Sequence, residues 1–258
     1  MDNTNSKEFW NNYVEYWENK VIEANSKSEF CDKTMSDLLF VNYVAMLQIQ
    51  KGEKILDFGC GTARLYPYFR KQYENSVYIG ADVSGTTLEH AQRNNEDLQI
   101  GRDLYEFDGL NLPFKDDYFD KVVCWGVFDA CRQEEILLEL FRVIKPNGKI
   151  LLTGKNNTYF EDDEAAYVAE INARKKGHPN YFSDIHNLIL QIPKRGAIIE
   201  EQRFFLRRCD FAKNIYQSEI PDRFYEWMFI LRKSEDFDNS MSFEKFSDMY
   251  SKVYFERK

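Results

Sequence analysis

The sequence is poor in the residues that build metal sites and covalent scaffolds. Five cysteines (Cys31, Cys60, Cys124, Cys131, Cys209) are spread over 258 residues without any C-x-x-C pair. An odd, unspaced set argues against a zinc cluster and a disulfide framework, so these residues are expected as small reduced core side chains, with no metal bound. Histidine is scarcer still. His90, His178 and His186 are the whole supply, so few groups could serve as a general base near neutral pH. Six prolines and twelve glycines form no linker or low-complexity tract, which points to one domain. No apolar run approaches the ~18 residues that cross a bilayer, and the polar start Met1 to Ser6 is not a secretory leader. A cytoplasmic protein with no membrane contact is the expectation. Cations are outnumbered, 34 against 43 acids, for a net charge of −9. An acidic surface repels a phosphate backbone, so nucleic acid is a disfavoured partner and a small molecule the favoured one.

What the chain does have is a core-forming composition, 43% hydrophobic, laid out as alternating strand-like and helix-like stretches. In Lys54-Ile55-Leu56-Asp57-Phe58-Gly59-Cys60-Gly61-Thr62-Ala63-Arg64 an apolar run ends in an acid, and two glycines around a cysteine precede a helix-compatible segment. The pattern predicts a buried parallel strand, Lys54 to Phe58, turning sharply into a helix from Thr62 to Tyr73 with bare backbone left open to a ligand. Val77 to Asp82 is a second strand closed by an acid, and Ser84 is placed to cap the helix that runs to Asn94. Further strands are predicted at Leu104 to Phe107, Phe119 to Trp125, Lys149 to Thr153, Ala197 to Phe205 and Phe224 to Leu231. A helix through Ile136, Leu140 and Ile144 should end at Pro146-Asn147-Gly148. Upstream, Phe9, Trp10, Tyr13, Val14 and Trp17 form the stripe of an amphipathic helix, followed by a second helix from about Thr34 to Ile49.

These elements predict an α/β fold: a Rossmann-like, seven-stranded, mostly parallel sheet with helices on both faces, an N-terminal helical cap and an insertion after strand five. One domain covers 1–258, with a cap at 1–50, a ligand-binding core at 51–155, a substrate-side insertion of polar helices at 156–196, the last two strands at 197–233 and a tail at 234–258 that packs back. Ligands of such sheets lie at the carboxyl ends of strands, near the reversal of strand order. Those ends here are Asp57-Phe58-Gly59, Asp82-Val83, Asp108-Gly109, Trp125-Gly126 and Gly154-Lys155. Two acids closing successive strands suit a ligand that carries a cation and a ribose. A dinucleotide would want G-x-G-x-x-G, and Arg64 stands at the third glycine position.

The stretches Leu56 to Thr62, Gly80 to Ser84, Asp108 to Phe114 and Phe141 to Lys149 together resemble the class I S-adenosylmethionine-dependent methyltransferases of small-molecule type, over roughly residues 50–155. The resemblance implies S-adenosyl-L-methionine as the cofactor and methyl transfer as the activity. In its terms Gly59 and Gly61, with Cys60 between them, let the backbone approach the methionine moiety, and Asp57 lies near the amino group. Asp82, beside Val83, accepts both ribose hydroxyls. Asp108 takes the adenine amino group, with Gly109 and Leu110 beside the ring. Cys124, Trp125 and Gly126 flank the sulfonium. Tyr13 and Trp17 lie on a helix that in related enzymes often covers the cofactor, where aromatic faces suit a sulfonium; plain core contact is the competing role.

The acceptor side is less determined. His178, after Lys175-Lys176-Gly177, and Asp129, after strand four, are the candidate bases; a solvated loop histidine and a helix cap are the alternatives. Tyr181 and His186 are candidate substrate contacts, whereas His90 reads as a surface or packing residue. If Arg174 and Lys175 converge over the sheet, the acceptor is an anion such as a phosphorylated molecule or a sugar nucleotide; otherwise they only complement a helix dipole. RNA methylation, cofactor binding without catalysis, and a monomer or homodimer all stay open.

Overall fold

The computed structural model describes residues 3–26, 31 and 37–257. Helices α1 (Asn3–Asn25) and α2 (Asp37–Ala45) precede β1 (Lys54–Phe58), α3 (Tyr66–Gln72), β2 (Val77–Asp82), α4 (Gly85–Asn94), β3 (Leu104–Glu106), β4 (Phe119–Cys124), α5 (Gln133–Val143) and β5 (Ile144–Lys155). The second half holds α6 (Glu164–Lys175), β6 (Phe182–Ser183), α7 (Ile185–Lys194), β7 (Ala197–Phe205), α8 (Asp210–Lys213), β8 (Glu226–Lys233), β9 (Ser247–Asp248) and α9 (Lys252–Glu256). Seven strands form one sheet in the order β3-β2-β1-β4-β5-β8-β7. All neighbours are parallel except β8, which runs antiparallel to β5 and β7. The order reverses between β1 and β4, which makes that gap the place for a ligand.

Alternation along the central strands builds two cores at once. Leu56 and Phe58 of β1, Val122 of β4, and Ile150 and Leu152 of β5 belong to one, with Leu137 and Leu140 of α5 and Leu188 and Ile192 of α7. Ile55, Val123 and Leu151 belong to the other, with Leu39 and Val44 of α2, Phe69 of α3 and Leu88 of α4. The helices therefore cover both faces, as the near-continuous apolar runs of β1 and β4 demand.

β1, β2 and β7 have the predicted bounds, and Ser84 caps α4 by accepting the Thr87 amide at 3.1 Å. Helix α3 starts only at Tyr66, because Ala63 takes a left-handed φ of 56° after the glycine turn. Pro146-Asn147-Gly148 ends no helix. Helix α5 stops at Val143 and passes directly into β5, where Ile144 pairs with Phe119 and Lys149 with Lys121, the residues between taking up an irregularity in register. Nor is α7 a polar helix of an insertion: Ile185, Leu188 and Ile192 are fully buried in the first core. The tail packs back through Phe237, Phe243 and Phe246, and β9 pairs with β6. The cysteine expectation needs one correction. Cys31 and Cys209 form a disulfide, while Cys60, Cys124 and Cys131 are free.

Candidate functional site

The ends of β1, β2 and β4 open on a cavity of about 750 Å3, which α1 covers from above. Its floor is the turn after β1. The Gly59 and Cys60 amides both donate to the Ala81 carbonyl, at 2.7 and 3.1 Å, so the turn is tied to β2. Gly59 and Gly61 both have positive φ, but they serve different neighbours. A Cβ on Gly59 would lie 2.4 Å from Val127, so this glycine admits the chain that follows β4. A Cβ on Gly61 would meet nothing within 4 Å, so the space before that backbone is open to a ligand. Cys60 lines the cavity from a nearly buried position, and its sulfur backs against Gly80, where a Cβ would come within 2.8 Å.

Three acids stand at successive strand ends. Asp57 is buried, and Tyr78 Oη donates to its Oδ2 at 2.7 Å. Burial pushes this carboxyl up to about 7, against the opposing hydrogen bond from Tyr78 and with help from the charge of Asp82. Asp82 accepts the Gly61 amide on Oδ2 and the Ser84 amide on Oδ1, each at 3.0 Å. Burial raises it as well, while these amides work in the other direction. Asp108 turns toward its own loop and accepts the Leu110 amide, the Asn111 amide and the Asn111 side chain at 2.7–2.9 Å. Those donors, Asn111 foremost, hold it below the usual carboxylate range. Val83 and Gly109 also line the cavity.

Helix α1 is held over these acids by polar contacts at its outer edges and aromatic ones within. Lys7 pairs with Glu106, Ser84 Oγ donates to Asn11 Oδ1 at 2.7 Å, and Glu18 meets His90 and Asn94 on α4. Exposed pairs of this kind each contribute only about 0–1 kcal/mol, so the apolar face carries the helix. Phe9, Trp10, Tyr13, Val14 and Trp17 all line the cavity. The rings of Phe9, Trp10 and Tyr13 surround His178, with centroids 5.5, 5.0 and 5.8 Å away. The amphipathic stripe thus faces a cavity and one loop rather than a filled core.

Beyond the strand-four end lie Asp129, Arg132, His178 and Tyr181, all on the cavity wall. Lys155, at the end of β5, joins this group from behind. Its Nζ lies 2.5 Å from Asp129 Oδ2 and donates to Asn180 Oδ1 at 2.7 Å. Burial is the largest single influence on Lys155 and works against its charged form, but the charge and hydrogen bond of Asp129 together with Tyr225 raise the ammonium above its ordinary value. The Tyr181 amide donates to the Asp129 carbonyl at 2.6 Å. The strand end Gly154-Lys155 is visible in the sequence, yet nothing in it pairs Lys155 with Asp129 and Asn180. Burial, then the charge of Lys155, lowers the pKa of His178, leaving its imidazole neutral at neutral pH.

Five of the predicted site residues do not line the cavity. Cys124 is fully buried in the core, one residue behind Trp125, because strand alternation sends the two side chains to opposite faces. Leu110 stands beyond the turn that Asp108 closes. Arg174 pairs with Glu170 one helical turn away, donates to the Met249 carbonyl and lies over the Tyr250 and Tyr254 rings, so it anchors the tail. Lys175 and His186 are exposed outside the cavity. Lys175→Ala should accordingly leave acceptor KM and kcat unchanged within about 0.5 kcal/mol, the scatter of surface substitutions; steady-state kinetics checks this, and a several-fold rise in KM would return Lys175 to the acceptor site. Trp125 does line the cavity, stacked on Phe40 at 5.1 Å, and its buried indole Nε1 finds no acceptor among the described residues.

Residues 55–148 match the family described as a methyltransferase domain. The chain is 25% identical over 150 residues to a ubiquinone/menaquinone biosynthesis C-methyltransferase of Erwinia tasmaniensis, covering 53% of this chain and 60% of that protein. It is 31% identical over 119 residues to a demethylmenaquinone methyltransferase of Thermus thermophilus, covering 45% and 54%. The chain thus spans about half the length of the curated relatives it matches. Among solved structures, a methyltransferase of Thermotoga maritima described as a possible histamine N-methyltransferase aligns with a TM-score of 0.58 at 16% identity, over 88% of this chain and 99% of that one. The [4+2]-cyclase SpnF aligns with a TM-score of 0.57 at 17% identity, over 81% and 85%. These likenesses show the fold.

Proposed function

We propose that this chain, a class I S-adenosylmethionine-dependent methyltransferase by the domain at residues 55–148 and by its sheet order, moves a methyl group from S-adenosylmethionine to a small-molecule acceptor bound beneath α1. The observation that carries the reading is the pairing of the open backbone at Gly61 with the two-oxygen acceptor Asp82, joined by the 3.0 Å hydrogen bond between them. Each Asp82 oxygen takes one backbone amide and keeps lone-pair capacity for a ribose hydroxyl. Asp57 offers a buried carboxylate to an ammonium, and the orphan Trp125 Nε1 offers a donor to an oxygen. Asp108 and Gly109 bound the adenine end. The bound donor supplies an electrophilic methyl on a sulfonium.

The protein's own work is orientation and exclusion of water. Holding an acceptor in line with the methyl can supply about 7–11 kcal/mol, and α1 with the His178 loop forms the cover. An anionic acceptor drew its support from Arg174 and Lys175; both stand outside the cavity, so the reading keeps the small molecule and drops the anion. The cyclase of the same fold marks the alternative, since this architecture also hosts chemistry without methyl transfer.

S-adenosylhomocysteine at about 100 Kd should stabilise the protein by about 2.7 kcal/mol, or about 5–10 °C in Tm for a chain of this size. Acceptor-dependent release of S-adenosylhomocysteine should follow in a panel of small molecules. Absence of any thermal shift would remove the cofactor assignment; a shift with product but no homocysteine derivative would favour the cyclase-like alternative.

A further inference from the structure

We propose that the acceptor is an uncharged, ring-bearing molecule with an acidic hydroxyl, a phenol or an enol, and that His178 takes its proton as the methyl is transferred. The inference rests on the methyltransferase reading above. It starts from charge. Among the described residues, the cations on the cavity wall are Lys7, Arg64 and Arg132, and each is bound to a carboxylate that lies off the wall: Glu106, Asp37 and Glu135. The acid at the acceptor end, Asp129, is met by Lys155 at 2.5 Å. A phosphate or an ammonium would have to compete with these pairs for its counter-charge. Rings supply much of the wall there: Phe9, Trp10 and Tyr13 from α1, and Tyr181 from the loop before β6. Such a surface favours a flat, neutral partner.

His178 is built for one role in this setting. Its Nδ1 lies 2.6 Å from the Pro179 carbonyl, and a carbonyl can only accept, so Nδ1 carries the hydrogen and Nε2 the lone pair. Its own amide donates to the Ala173 carbonyl at 2.9 Å, and the next residues are pinned by Lys155 to Asn180 and by the Tyr181 amide to Asp129. Lys155 and Asn180 are positioning residues that set the ring through this loop. The groups that face His178 are Asp129 and Lys155 behind it, Lys176 on its own segment, and the rings of α1. In the step, the hydroxyl proton passes to Nε2. The oxygen pair forms the bond to the methyl carbon, and the carbon–sulfur bond breaks with its pair going to sulfur. The proton then leaves the imidazolium for water.

The test uses the whole chain with S-adenosylmethionine and three probes: a naphthol, an arylalkylamine and a hexose phosphate. The naphthol should be methylated at least about tenfold faster than either other probe, and calorimetry should show it binding the S-adenosylhomocysteine-loaded protein while the hexose phosphate does not. His178→Gln should lower kcat by about 100-fold with S-adenosylhomocysteine affinity unchanged, which also reports an intact fold. At saturating S-adenosylmethionine, where Asp57 is held ionised, the native protein's kcat/KM for the naphthol should fall only below the ordinary histidine value of 6.5, and that limb should vanish in the variant. Preference for the amine or the phosphate, or an unchanged rate in His178→Gln, overturns the proposal. So does binding of S-adenosylhomocysteine without turnover of the naphthol, which leaves the methyltransferase reading standing. Failure to bind S-adenosylhomocysteine at all removes both.

Discussion

Asp57→Asn should stabilise the ligand-free protein at pH 8 by roughly 2–4 kcal/mol while weakening S-adenosylhomocysteine binding at least about tenfold, the size of one lost charge-assisted hydrogen bond. The opposing signs come from one placement. Asp57 sits at the end of β1, 4% exposed, with Tyr78 as its hydrogen-bond donor, and burial lifts its carboxyl from 3.8 to about 7. The folded state therefore holds a proton that the unfolded chain releases near pH 4. Stability from this group is complete below the unfolded value, falls as pH rises from about 4 toward 7, and stays low above it. Asparagine keeps the oxygen that accepts from Tyr78 and removes the charge, so the loss disappears. Urea melts at pH 5 and pH 8 measure this. The native protein should lose more stability between them than the variant, which keeps only the smaller loss from Asp82; equal losses in both would show that Asp57 carries no such burden. Ligand binding runs the other way with pH. An ammonium needs the ionised carboxylate, so S-adenosylhomocysteine should bind the native protein more tightly as pH rises through about 7, and Asp57→Asn should be flat.

What the sequence discloses about this molecule follows the range of the interactions concerned. Strands β1 and β2 are legible to the residue because each is an apolar run closed by an acid, a pattern written within the run even though β1 pairs with β2 and β4, and β2 with β3. Ser84 is legible as a cap because its bond to Thr87 closes within one turn. The stop at Pro146-Asn147-Gly148 is misleading for a long-range reason: the pairing of Ile144 with Phe119 and of Lys149 with Lys121 draws the whole segment into β5, and tertiary pairing overrides a local breaker.

The acceptor side shows the same division more sharply. Asp129 and His178 are visible as isolated candidates, and the structure brings both to one wall. Their relation runs through Lys155, which reaches Asp129 and Asn180 from a strand 26 and 25 positions away, a separation no local pattern encodes. Arg174 and Lys175 look equivalent in the sequence. Only the tail distinguishes them, by folding Tyr250 and Tyr254 onto Arg174 and leaving Lys175 exposed. Gly59 and Gly61 look equivalent too, and only the chain after β4 distinguishes them, by packing Val127 against one and leaving open space before the other.

Asp82→Asn is the same chemical change as Asp57→Asn and should have the opposite effect on stability, because a lost amide acceptor outweighs the relief of a carboxyl that burial raises less than it raises Asp57. Both Asp82 oxygens accept backbone amides, Gly61 on one side and Ser84 on the other, each at 3.0 Å. An asparagine must turn its NH2 toward one of them, and N–H then faces N–H. One amide is left without an acceptor at a half-buried site, which costs about 1 kcal/mol, the low end for an unsatisfied group. Because Gly61 belongs to the turn after β1 and Ser84 caps α4, the damage falls on the two segments that frame the ligand. The ribose also loses a two-oxygen acceptor and meets a donor in its place, so S-adenosylhomocysteine affinity should drop by about 100-fold, two hydrogen bonds' worth at about 1.4 kcal/mol each. Calorimetric titration gives the affinity and urea denaturation at pH 8 the stability. The pair of variants separates two functions that the sequence writes with the same letter. If Asp82→Asn proves as stable as the native protein and binds S-adenosylhomocysteine within about threefold, a margin of ~0.65 kcal/mol, then the strand-two acid neither frames the turn nor receives the ribose.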